Sequence, residues 1–97
     1  MLFVLTLLAC SGGDTDPVAA ITALTGDTAS GETLYTANCS SCHGAAGEGG
    51  IGPAIAGLDF SDGDISLVLN GEDAMPAFGD SLSDQDIADV IAYVGTL

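Results

Sequence analysis

The sequence has no lysine, no arginine and no tryptophan, and its single histidine, His43, stands against 14 aspartates and glutamates. The formal net charge at neutral pH is −14. With no basic side chain to neutralise phosphates, nucleic acid is excluded as a partner. An anionic bilayer surface is equally unfavourable, and a basic protein face is the natural complement. Side-chain salt bridges are absent unless His43 is protonated. No strand pattern is visible, and the one long apolar run, Met1 to Ala9, is far short of the roughly 20 residues that cross a bilayer. A hydrophobic content of 47% nevertheless rules out a disordered acidic tail. The 97 residues allow one small domain, of a size that is marginal without a cofactor or cross-link.

What the chain does have is Cys39-Ser40-Ser41-Cys42-His43. This is C-x-x-C-H, the attachment signal of a c-type haem. Two thiols at this spacing, on a turn leaving a helix, can each reach one vinyl group of a porphyrin, and the adjoining imidazole can ligate the iron. A thioredoxin-like pair would need a βαβ surround, which is lacking. A zinc site would need four ligands, and Cys10 lies far off in the apolar N-terminal segment.

The flanking residues can supply the wrapper. Ala29 to Asn38 reads as a helix that delivers Cys39, capped by Thr28 or Ser30, with Glu32 in its first turn. Gly31, Tyr35 and Cys39 share one face, and a glycine there suggests close approach by another helix. The glycine-rich loop from Gly44 to Gly57 contains Gly52-Pro53, and a proline carbonyl beside His43 could accept its second ring N–H. Ser61 opens a second helix, with Ile65, Val68 and Leu69 on its apolar face and Asn70-Gly71 at its end. Met75 follows in a proline-bounded loop, where the lack of helical spacing favours a thioether ligand over core packing. Ser83 caps a last helix with a stripe of Ile87, Val90, Ile91 and Val94.

In this order and spacing, Cys39-x-x-Cys42-His43-Gly44, Gly52-Pro53, Met75-Pro76-Ala77-Phe78 and Ile91-Ala92-Tyr93 resemble the class I monohaem cytochromes c over residues 28–97. The resemblance implies an all-α cytochrome c fold of three main helices around one covalent haem c, the first and last helices crossing at Gly31, Tyr35 and Tyr93. It implies thioether bonds at Cys39 and Cys42, proximal ligation by His43, distal ligation by Met75, and a Pro53 carbonyl that holds the imidazole. The lysine ring through which many relatives dock is missing, so their partner does not carry over.

Residues 1–9 look like the apolar part of a secretory signal, short and without a basic n-region, as in a truncated one. Leu7-Leu8-Ala9-Cys10 resembles a bacterial lipobox, with Cys10 as the lipidated residue; a buried N-terminal helix is the alternative. Residues 10–27 read as a flexible tether, in which Val18 to Ile21 could form a short helix or dock on the domain. The seventeen residues from Ser11 to Asp27, as flexible chain, would span roughly 20–25 Å on average. The expected function is electron transfer by an exported, membrane-anchored monomer on the periplasmic side of a bacterial membrane, serving a redox partner with a basic docking face. Its rivals are an electron-inlet domain of a larger oxidoreductase and a haem peroxidase or ligand sensor. The last would need a distal acid–base residue, and there is neither a second histidine nor an arginine.

Overall fold

The computed structural model describes residues 16–97. Expectations for residues 1–9 and for Cys10 fall outside this range. The described chain forms five helices: α1 Pro17–Thr22, α2 Thr28–Asn38, α3 Ser40–His43, α4 Asp62–Asn70 and α5 Asp84–Val94. Among the described residues the only β-type pairing is an isolated bridge between Glu72 and Met75.

Local chemistry sets the helix starts. α4 and α5 open with capping boxes, Ser61 with Asp64 and Ser83 with Asp86, each satisfying backbone donors at the first turn. α2 differs from the expectation. Its cap is Asp27, whose carboxylate accepts the Ala29 N–H at 3.2 Å, and Ser30 donates its hydroxyl to Asp27 at 2.9 Å. The helix therefore begins at Thr28, and Glu32 lies beyond the first turn.

α2 and α5 cross in close contact. A Cβ on Gly31 would meet the Asp89 carbonyl and lie 2.8 Å from Tyr93 Cβ, so only glycine lets the two backbones come this near. Tyr35 is fully buried one turn along, and its ring lies 5.6 Å from that of Tyr93. Val90 and Val94 complete this cluster with partial cover from Ile55, Leu58 and Phe60.

The stretch read as a tether is not free chain from residue 16 onward. Asp16 caps α1 by accepting the Val18 N–H at 3.1 Å, and Pro17 occupies its first turn. Val18 and Ile21 are buried against Ile65, Ile87 and Ala88 of α4 and α5. Full burial of a side chain such as Ile21 contributes about 1.5–3 kcal/mol, enough to dock a six-residue helix that would not persist alone. The α1–α2 connection is held as well. Asp89, the one buried charged side chain among the described residues, accepts the Asp27 N–H at 2.8 Å and the Gln85 amide at 3.0 Å. The same Gln85 amide donates to the Thr25 carbonyl at 3.0 Å. No cation is at hand, so N–H donors alone compensate this carboxylate's burial.

Candidate functional site

Helix α3 follows α2 directly, since Cys39 both ends one and caps the other. Cys39, Cys42 and His43 thereby face one cavity of about 430 Å³. Its walls are Ile55, Leu58, Phe60, Val68, Ile87, Val90 and Val94, and its rim carries Ile51, Asn38, Asp64, Glu72 and Asp73. Pro53 and Met75 line the same space, so every site residue expected within the described range is brought together.

The imidazole is fixed from behind. His43 Nδ1 lies 2.8 Å from the Pro53 carbonyl oxygen. Proline's carbonyl can only accept, so Nδ1 carries the proton and Nε2 is left with its lone pair free to ligate. The loop that presents this carbonyl is built on backbone bonds. Gly49 N–H donates to His43 O at 2.7 Å, Gly52 N–H to Cys42 O at 2.8 Å and Ile55 N–H to Gly47 O at 2.8 Å. At Gly52 a Cβ would stand 3.0 Å from His43 Cε1, so the ring packs directly on the loop backbone.

Two groups around the loop are electrostatically shifted. The Glu48 carboxylate accepts from its own backbone N–H and from that of Ala46, at 2.8 Å for the latter, which holds its carboxyl below the usual range. Burial, then the neighbouring Cys42, pushes the Cys39 thiol up, so it stays protonated near neutral pH. Neither Cys39 nor Cys42 is in a disulfide.

The Tyr35 hydroxyl donates to the Gly44 carbonyl at 2.6 Å and ties the residue after His43 to α2. Sequence reading placed Tyr35 at the helix crossing and missed this second task, because nothing in the spacing signals it. Burial, then Cys39 and Glu48, raises the hydroxyl above its ordinary value of 10.0. A raised acid contributes stability that is whole below its unfolded pKa and is lost as pH rises through its folded one. Tyr35→Phe is thus expected to cost about 0.5–1.5 kcal/mol at neutral pH and to lose less stability than wild type above about pH 10. Thermal melts of both proteins from pH 7 to beyond that point check it; parallel curves would contradict it.

An apolar cavity lined by two thiols, an imidazole with one nitrogen committed to a carbonyl, and a thioether suits a porphyrin and its iron. A closed zinc site is not offered, since among the described residues no three of His, Cys, Asp and Glu converge. Three longer helices around such a site define a small c-type cytochrome domain. Comparison with known proteins agrees. The family described as cytochrome C oxidase, cbb3-type, subunit III matches residues 26–94. Cytochrome c6 of Picosynechococcus sp. is 40% identical over 90 residues, covering 74% of this chain and 74% of that protein. Cytochrome c6 of Bumilleriopsis filiformis is 42% identical over 77 residues, covering 70% and 88%. Among solved structures, cytochrome c6 from the diatom Phaeodactylum tricornutum superposes with a TM-score of 0.58 at 41% identity, covering 71% of this chain and 91% of that one. Cytochrome cL from Hyphomicrobium denitrificans gives 0.62 at 26% identity, with 84% of this chain on about half (51%) of that one.

The chain belongs to the class I monohaem cytochromes c. Its fold is theirs, its cofactor is one covalently bound haem c, and it is an electron carrier rather than an enzyme.

Proposed function

We propose that the chain is an exported one-electron carrier, held at the periplasmic side of a bacterial membrane by a lipidated Cys10. In this reading haem c is attached at Cys39 and Cys42 and ligated by His43 and Met75. The observation that carries it is the 2.8 Å contact of His43 Nδ1 with Pro53 O on a cavity that Met75 and both cysteines also line. When bound, the haem supplies the ferrous–ferric couple, and His/Met ligation raises its potential. The protein's own residues do the rest. Pro53 orients the imidazole and strengthens it as a donor. Met75 fills the position that a gas or peroxide would take. Val68, Ile87, Val90 and Val94 keep water from the site.

The anchor reading gains a length from α1. Cys10 and Asp16 are six residues apart, so their Cα atoms cannot be more than about 20–22 Å from one another, at roughly 3.3–3.6 Å per residue. An anchored domain would therefore work close to its membrane, which suits a partner in the same bilayer. No residue of α1 lines the cavity, so anchoring there leaves the site clear.

A second reading, an electron-inlet domain bound within a larger oxidoreductase, is favoured by the family description, which names an oxidase subunit. Three measurements on protein from native cells test both. A reduced c-type α-band with a methionine–iron band in the oxidised form supports the cofactor and its ligation. Recovery in the membrane fraction, abolished by Cys10→Ser, supports the anchor, and unlipidated soluble protein would remove it. Stable co-purification with an oxidoreductase in mild detergent favours the inlet domain, and a lone chain favours the carrier.

A further inference from the structure

α4 ends at Asn70, and within five residues the chain must turn back to bring Met75 to the cavity. Gly71 starts the turn at φ 77, ψ 169, a region that only glycine enters readily. Its N–H donates to Leu67 O at 2.7 Å. The next four residues close on themselves. Met75 N–H donates to Glu72 O at 2.8 Å, and Glu72 N–H donates to Met75 O at 3.1 Å. On the way out, Phe78 N–H donates to Val68 O at 2.9 Å and Gly79 N–H to Leu69 O at 3.0 Å. The last carbonyls of a helix lack partners within it, and here they hold the loop. Both ends of the methionine loop therefore hang on the final turn of α4.

The missing side chain of Gly71 lies at the centre of this arrangement. A Cβ there would stand 2.7 Å from Met75 O, 2.8 Å from Ala77 N and 3.0 Å from Pro76 C. All three are backbone atoms of the Met-Pro-Ala segment, so none can rotate aside. We propose that Gly71 is a positioning residue for the Met75 thioether. Its bare backbone lets the Met-Pro segment pack on the end of α4, and this packing sets where Met75 stands in the cavity. The proposal rests on the reading of Met75 as second axial ligand. If Gly71 served only to stop the helix, replacing it would lower stability and leave ligation alone.

The test compares the holoproteins Gly71→Ala, Gly63→Ala and Met75→Ala. Gly63 is exposed within α4, and a Cβ there would meet nothing nearer than Ser61 Oγ at 3.7 Å. The readouts are the methionine–iron band of the oxidised form and carbon monoxide binding by the reduced form. Gly71→Ala is expected to keep the c-type α-band, to lose most of the methionine band and to bind carbon monoxide at least about tenfold more tightly, since apparent affinity follows the fraction of open sites. Gly63→Ala should match wild type. A full methionine band without new carbon monoxide binding in Gly71→Ala, whatever its melting temperature, overturns the proposal, provided that Met75→Ala opens the site. If Met75→Ala also behaves as wild type, the ligand reading has failed and takes the proposal with it. Should Gly71→Ala yield no holoprotein, Gly79→Ala displaces the loop's other end, its Cβ falling 2.9 Å from Leu69 O. That variant must then show the partial loss of the band, and an unaltered band counts against the proposal.

Discussion

Met75→Ala is expected to leave the haem covalently attached while admitting carbon monoxide to the reduced form and cyanide to the oxidised form. The proposed attachment residues are Cys39 at the end of α2 and Cys42 on α3, whereas Met75 sits in the loop after α4, so the two proposed functions are structurally separate. Methionine sulfur is a soft ligand that favours the ferrous state, and a water or hydroxide replacing it favours the ferric state. The potential should fall by about 0.1 V or more, a modest part of the roughly 0.8 V range that axial ligation spans. No other methionine competes, because the sequence has two and the other is Met1. Since the Glu72–Met75 turn is closed by its own backbone bonds, alanine at position 75 removes the thioether without removing the turn. Absorption spectra with and without carbon monoxide, and a potentiometric titration, check the expectation. An unchanged spectrum and potential would take Met75 out of the site.

How far this site could be read from sequence depended on whether the signal was local. The pentapeptide Cys39 to His43, the capping boxes at Ser61 and Ser83, and the stripe from Ile87 to Val94 are short-range patterns, and each appears in the fold. Gly31 also announced itself, because a glycine inside a helix has a cost that close packing can offset. What stayed hidden joins distant parts of the chain. Asp89 reads as one more acidic residue on an acidic helix, and its burial follows only from the Asp27 N–H reaching it across 62 residues. Gly26 looked like tether, yet a Cβ there would lie 2.7 Å from Ala92 Cβ on α5. α1 was legible as a possible helix, but its docking required knowing that Ile65, Ile87 and Ala88 leave an apolar surface for it. At Gly71 the sequence announced an ending, and the structure adds the reason only glycine serves there.

Electron transfer to a partner with a basic docking face should slow as salt rises. The chain carries 14 acidic groups and no lysine or arginine, so its field has one sign over the whole surface. Glu72 and Asp73 are exposed at the rim of the cavity, and Glu48 is exposed on the loop below His43. Fields of this kind steer complementary partners and raise encounter rates by about 10- to 1,000-fold. Screening removes the effect, with a Debye length of about 8 Å at physiological ionic strength. The rim also carries Ile51, which is 84% exposed and gives the same face an apolar contact. These two features predict different things. Docking through Ile51 alone, with the acidity serving only solubility, gives rates nearly flat in salt. Docking steered by the carboxylates gives a steep fall. Replacing Glu48, Glu72 and Asp73 together by the corresponding amides should flatten that fall, while the same change far from the rim should do less. The field acts on the fold as well: like charges repel one another, so the isolated domain should melt at higher temperature as salt is added. Stopped-flow rates against a purified basic partner, from low to high ionic strength, decide the question, and a flat or rising profile would remove electrostatic docking.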